Sequence, residues 1–124
     1  MIKRVLLGVI VLCLIAQTPA ANAHTVLISS TPAIGATIRV LPSKITLIFG
    51  DRLLILGKRV INRVTVTDSR NSIITSKREV THGFTLSNVL NIKSPHHGIY
   101  TVIYRVAGED GHLVTGSYTF TLKN

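Results

Sequence analysis

Residues 99–106 read IYTVIYRV, in which an aromatic or apolar residue recurs at every second position. Tyr100, Val102, Tyr104 and Val106 would share one face of a strand, opposite a face with a threonine and an arginine. A period of two is typical of a strand that is buried on one side only. Residues 117–122 (SYTFTL) repeat the pattern, so the C-terminal part of the chain is predicted to contain two half-buried strands.

Shorter apolar stretches extend this pattern towards the N-terminus. Residues 45–49 (ITLIF) and 64–67 (VTVT) are predicted strands, and weaker candidates lie at 26–28, 72–75 and 84–86. Pro, Gly, Asn and Asp mark turns between them, and no stretch has a long helical pattern. Short strands separated by regular turns predict an all-β fold with two packed sheets. Residues 50–62 are compatible with either a strand or a long loop.

The first residues have the features of an export signal. Lys3 and Arg4 precede an apolar run, residues 5–16, that is too short to span a bilayer, which needs about 20 residues. Ala21-Asn22-Ala23 then matches the small-x-small motif of signal peptidase. We expect a signal peptide at 1–23, cleavage after Ala23 and one domain at 24–124, located in the periplasm or at the cell exterior. A retained membrane anchor is the alternative.

The composition of residues 24–124 excludes several functions. Of the 14 Lys and Arg residues 12 lie here, with all five acidic residues, which gives a net charge of +7. The basic residues are scattered and Trp is absent, so a solvated basic surface is favoured over nucleic-acid binding. Cys13 and Met1 are the only sulfur-containing residues. A processed chain therefore has no disulfide, and a metal site in it must use nitrogen and oxygen donors.

His24 would be the N-terminal residue of the processed chain. A free N-terminal His offers its α-amino group and its imidazole Nδ1, and together they close a chelate ring on a metal. Copper(II) prefers tetragonal nitrogen and oxygen ligation and binds such sites most tightly among divalent first-row metals. A His at this position by chance is the alternative, because signal peptidase accepts almost any residue there.

The segment Asp110-Gly111-His112 follows the strongest predicted strand. Asp-Gly is a common tight-turn dipeptide, so this segment could simply join the strands at 99–106 and 117–122. Alternatively, Asp110 and His112 could both reach one ion. The remaining histidines are His82, expected in a loop, and the pair at 96–97, expected to be solvent-exposed and a weak metal binder at most.

Several of these segments together resemble the copper-resistance CopC family. Residues 24–36 (HTVLISSTPAIGA) are similar to the family's mature N-terminus, with its His and its Ser-x-Pro-x-x-Gly motif. Residues 41–49 resemble its next strand. Residues 98–120 resemble its Gly-x-Tyr-x-Val, Asp-Gly-His and Gly-x-x-x-Phe motifs in the same order. The match covers both ends of the domain, whereas residues 50–97 match poorly.

The resemblance implies a Greek-key β-sandwich of the cupredoxin or immunoglobulin-like kind. It implies a copper(II) site formed by the amine and imidazole of His24, the imidazole of His112 and a carboxylate oxygen of Asp110. Many family members also have a Met-rich copper(I) site, which this chain lacks because no Met follows residue 1. The implied function is a copper carrier or buffer, not an enzyme, whose partner is a multi-spanning membrane protein of the CopD kind.

Two other functions remain as alternatives. A small copper oxygenase with a histidine brace would also begin with His, although such an enzyme needs a second brace His and an extended aromatic substrate surface. A basic structural or adhesive sandwich would use the +7 charge to bind an anionic cell surface and would not need His24.

Overall fold

The computed structural model describes residues 25–124, so the predicted signal peptide and His24 lie outside the described residues. The described part contains eight strands and no helix. The strands are β1 (Leu27–Thr31), β2 (Thr37–Ile38), β3 (Lys44–Phe49), β4 (Arg63–Thr67), β5 (Val80–His82), β6 (Thr85–Val89), β7 (Gly98–Ala107) and β8 (Leu113–Leu122). Within residues 25–124 we find no helix with the length and hydropathy needed to cross a bilayer.

The strands form two four-stranded sheets, in the orders β1-β3-β6-β5 and β2-β8-β7-β4. All pairs are antiparallel except β2 with β8, which is parallel. Among the described strands, β5–β6 and β7–β8 are the sequence neighbours that pair, and every other connection crosses between the sheets, as in Greek-key sandwiches. The prediction of an all-β sandwich is confirmed.

The core lies between the sheets and follows the alternation seen in the sequence. Tyr100, Val102 and Val106 of β7 are buried, whereas Ile103 and Arg105 on its other face are exposed. Aromatic ring contacts occur both between the two sheets and between neighbouring strands of one sheet. Phe49 of β3 meets Tyr104 of β7 edge-on, with ring centroids 5.5 Å apart, and Tyr100 stacks on Phe120 of β8 at 5.1 Å.

The structure differs from the predictions at residues 72–75 and in two short strands, and it settles the conformation of residues 50–62. Residues 72–75 form isolated bridges at Ile73 and Thr75 instead of a strand. Residues 50–62 form a loop with two isolated bridges, and this resolves the ambiguity about that segment. The short strands β2 and β5 were not predicted, because two or three residues are too few to show a period of two.

Three segments converge at one end of the sandwich. They are the residues before β1, the loop after β3 and the loop between β7 and β8. The Gly50 N–H donates to Val26 O at 2.8 Å, and the Leu54 N–H donates to Ala107 O at 2.8 Å. The Glu109 N–H donates to Arg52 O at 3.1 Å. Backbone hydrogen bonds therefore hold the three segments together at the end where the Asp-Gly-His segment lies.

Candidate metal centre

Asp110 and His112 are in direct contact on the β7–β8 loop. His112 Nδ1 lies 2.9 Å from Asp110 Oδ2, and the His112 backbone N–H donates to Asp110 Oδ1 at 3.0 Å. The His112 side chain is 81% exposed and that of Asp110 is 40% exposed. The structure therefore brings together the two described members of the predicted site, at the protein surface where an ion has free access.

The local sequence explains this arrangement. The Gly111 N–H donates to Gly108 O at 2.9 Å, which closes a turn, and Gly111 has a φ of 84°. Glycine adopts this conformation without the steric cost that a side chain would add. The turn directs the residues on either side of Gly111 towards each other. The turn prediction for this segment is thus confirmed, and the turn itself creates the Asp110–His112 contact.

Thr25, the first described residue, lies beside this loop. It is 3% exposed, although it belongs to the N-terminal end of the chain. A Cβ added to Gly108 would lie 2.5 Å from Thr25 Oγ1 and 3.3 Å from Asp110 Oδ1. Thr25 and Asp110 therefore both border the space next to Gly108. The residue bonded to Thr25 on its N-terminal side is His24, which lies outside the described residues.

A cavity of about 310 Å³ opens next to these residues. Its walls carry carboxylates and one arginine; the lining residues are Thr25, Asp51, Arg52, Phe84, Gly108, Glu109 and Asp110. Arg52 Nε lies 3.3 Å from Glu109 Oε1, and the Arg52 guanidinium lies 5.7 Å from the centre of the Phe84 ring. Arg52 thus offsets part of the negative charge around the cavity and packs on its apolar wall.

The other histidines lie apart from this pair. The histidines at 96–97 precede β7, and Asp110 follows it; a strand of ten residues separates the two positions by roughly 30 Å. The Tyr100 hydroxyl donates to His96 O at 2.7 Å, and the Ser69 hydroxyl donates to His97 O at 3.0 Å. His82 ends strand β5 and is exposed, so its assignment to a loop was wrong.

The turn after β4 contains a second anionic group with a structural role, Asp68. The Asp68 carboxylate accepts hydrogen bonds from the N–H groups of Ser72 and Arg70, each at 2.9 Å. The Ser72 bond is the main cause that lowers the pKa of Asp68, and His96 also lowers it. These bonds close the turn after β4, so Asp68 is accounted for by the fold.

Sequence reasoning found Asp110 and His112 but missed Thr25, Arg52 and Gly108. Among residues 25–124 there is no group of three or more His, Cys, Asp or Glu side chains that could hold a metal. The burial of Thr25 has no local signal, because threonine is mostly an exposed residue in proteins. Gly108 could have been noticed as the glycine directly after the strand, where a close backbone approach is common.

Comparisons with known proteins agree with this architecture. The CopC domain family matches residues 27–123 of the chain. CopC from Methylosinus trichosporium OB3b superimposes with a TM-score of 0.62 at 23% identity, covering 81% of this chain and 94% of that one. PcoC, a methionine-rich copper resistance protein from Escherichia coli, superimposes with a TM-score of 0.64 at 27% identity, covering 82% and 100%.

A sequence comparison with curated proteins gave no match. The family match nevertheless spans nearly all of the sandwich, from the start of β1 to the residue after β8. The solved structures cover about four fifths of the chain and share its fold. The chain therefore belongs to the CopC family.

Proposed function

We propose that this protein is an exported copper(II) carrier or buffer that acts in copper resistance. The proposed ligands are the amine and imidazole of His24, an oxygen of Asp110 and the imidazole of His112. The observation that carries the proposal is the 2.9 Å separation between Asp110 Oδ2 and His112 Nδ1. Family membership and the similarity to a copper resistance protein support the copper-related role.

The Asp110–His112 separation suits two neighbouring ligands of one copper ion. Imidazole nitrogen and carboxylate oxygen bind divalent metals at about 2.0–2.2 Å. In a square-planar arrangement, which copper(II) favours, adjacent donors at such distances lie about 2.8–3.1 Å apart. An ion bound by both atoms would lie to one side of the line that joins them, about 2 Å from each, so the imidazole ring would turn while the two donor atoms keep their separation. The energetic cost of organising these two donors is therefore small.

The remaining donors would come from the residue bonded to Thr25. Thr25 is buried beside Gly108, close to the Asp110 carboxylate, so its peptide connection begins next to the pair. Consecutive Cα atoms are about 3.8 Å apart across a trans peptide bond. We expect a histidine side chain and a free amine on that residue to reach an ion held by Asp110 and His112. Cleavage after Ala23 would supply the free amine.

The donor set favours copper(II) over copper(I). Sulfur ligands select copper(I), whereas imidazole, amine and carboxylate suit copper(II). Met1 and Cys13 precede the proposed cleavage site, so the processed chain would contain no sulfur. In this respect the chain differs from PcoC, which is described as methionine-rich. A copper(II) function follows, with delivery to a membrane transport protein of the CopD kind as the proposed route onward.

The decisive experiment compares two purified forms of residues 24–124. One form begins at His24, and the other carries one extra glycine before it, which converts the amine into a peptide amide. We expect the first form to bind one copper(II), with nitrogen hyperfine structure in its EPR spectrum. The extended form should bind at least about 100-fold more weakly, because loss of a direct ligand costs more than the 10–100-fold attributed to outer-shell partners.

Circular dichroism serves as the control, because an added residue at an exposed chain end should leave the fold unchanged. Equal copper(II) affinities and identical EPR spectra for the two forms would show that the N-terminal amine is not a ligand.

A further inference from the structure

The loop between β3 and β4 contains a turn with apolar residues on either side, and the proposed copper site does not explain it. Leu56 and Arg59 form an isolated bridge, the Arg59 N–H donates to Leu56 O at 3.0 Å, and Gly57 has a φ of 56°. Leu56 is 46% exposed, and Val60, directly after the turn, is 54% exposed. Lys58 occupies the tip. Apolar side chains thus flank an exposed cationic tip.

This turn shares a shallow cavity with the end of the β7–β8 hairpin. Apolar and basic side chains from both segments line it, and we call this set the basic apolar patch: Leu56, Arg59, Val60, Arg105 and Leu113. Leu113 is 52% exposed, and both arginines are exposed. The patch therefore combines three exposed apolar side chains with two cations on one continuous surface.

The charges around the patch are not balanced by acidic partners. Arg105 of β7 lies directly opposite Arg63 of β4, and both point outward. Like charges in directly paired positions destabilise a sheet. Among residues 25–124, neither these two arginines nor Arg59 forms an ion pair. Glu79 lines the adjoining cavity beside Arg59 without pairing with it. An unfavourable local charge arrangement of this kind fits a surface that binds an anionic partner.

We propose that the basic apolar patch docks the protein onto the surface of an anionic phospholipid bilayer. The exposed apolar side chains of this turn can enter the headgroup region, while Lys58 at the tip and the arginines of the patch bind phosphates. An acidic protein would need a shape that matches this shallow cavity, whereas lipid headgroups can adapt to it. The net charge of +7 for residues 24–124 adds long-range attraction to the same surface.

Docking by this patch would turn the end of the sandwich that carries the proposed metal centre towards the membrane. Gly111, which lies between Asp110 and His112, lines the same cavity as the patch. The proposed metal centre and the docking surface are therefore neighbours. The docking proposal does not depend on metal binding and can be tested without copper.

The test measures sedimentation with vesicles, using protein purified after export, whose N-terminus is determined by mass spectrometry. One vesicle type contains phosphatidylcholine alone, and the other contains equal parts of phosphatidylcholine and phosphatidylglycerol. We expect binding to the anionic vesicles only, because the cations of the patch need negatively charged lipid. Binding to both types would instead indicate an uncleaved apolar leader. The double variant R59Q/R105Q should bind the anionic vesicles about 30-fold more weakly, as expected for the loss of two cations near such a surface.

The double variant L56S/V60S tests the apolar part of the patch and should lose at least about tenfold in affinity. The charge-matched control is R39Q/K44Q, which removes two exposed cations near the opposite end of the sandwich and should retain most of the binding. Thermal unfolding verifies that each variant is folded. Equal losses in R39Q/K44Q and R59Q/R105Q would overturn the proposal, as would the absence of binding to anionic vesicles.

Discussion

At the scale of single residues, the candidate metal centre depends on the contact between His112 and Asp110, which no other histidine among residues 25–124 makes. His82 is the best comparison, because it is also an exposed histidine but makes no contact with that carboxylate. We expect H112A to weaken copper(II) binding strongly, since it removes a nitrogen ligand, and H82A to leave the affinity unchanged. A competition titration with a copper(II) chelator measures both. Equal losses in the two variants would contradict the assignment of His112.

Gly108 is a second residue on which the site depends. A methyl group at this position would lie 2.5 Å from Thr25 Oγ1, closer than real side-chain contacts allow. G108A should therefore displace Thr25 and lower the free energy of unfolding by about 1–3 kcal/mol, the usual cost of overpacking. It should also weaken copper(II) binding, because Thr25 connects directly to the proposed ligand His24. Urea denaturation and the chelator titration measure the two effects.

Gly50 provides the matched control for this substitution. A Cβ at Gly50 would make an ordinary contact, 3.4 Å from the end of the flexible Ile28 side chain. G50A should change both the unfolding free energy and the copper affinity little. If G108A behaved like G50A, the close approach of Thr25 to the β7–β8 loop would be without consequence for the site.

At the scale of secondary-structure elements, Asn62 connects the long loop 50–62 to strand β7. Its side-chain NH2 donates to Leu54 O at 2.9 Å, and its Oδ1 accepts from the Ala107 N–H at 2.9 Å. Asn62 is 3% exposed, so water cannot replace it easily. One side chain thus fixes the loop against the strand end that leads into the candidate metal centre.

We expect N62A to lower the free energy of unfolding by about 1–3 kcal/mol, because it leaves the buried Ala107 N–H without its acceptor. Hydrogen exchange at the Ala107 amide should accelerate more than exchange in the middle of β7. Urea denaturation and NMR-detected exchange measure these effects. The control is N91A, since the exposed Asn91 side chain makes no hydrogen bond within the described chain. A similar loss in N91A would indicate a general effect of removing an asparagine.

At the scale of the whole molecule, the types of donor atom in the chain predict which oxidation state of copper it binds more tightly. Residues 24–124 contain nitrogen and oxygen donors but no sulfur. We expect copper(I) affinity, measured by competition under reducing conditions, to be much lower than copper(II) affinity, because soft ligands are needed for copper(I). A comparable copper(I) affinity would point to a different ligand set, such as the histidine pair at 96–97, and H96A/H97A would then be the variant to measure.

The sequence alone was sufficient for the features that depend on local geometry or on composition. The alternation in β7 and β8 identifies their buried faces, because the strand period of two is a property of the backbone itself. The turn at Gly111 follows from the Asp-Gly dipeptide. The absence of sulfur donors is a matter of counting. Short strands such as β2 could not be predicted, because their positions depend on pairing with distant strands.

Only the tertiary structure decided which segments surround the candidate metal centre. Arg52 and Glu109 form an ion pair although 57 positions separate them in the chain, and their contact depends on the order of strands in two sheets. The burial of Thr25 beside Gly108 likewise results from β1 pairing with β3. Such contacts arise from the packing of the whole sandwich, in which each partner is placed by strands far from it in sequence. Local sequence patterns therefore do not predict these contacts.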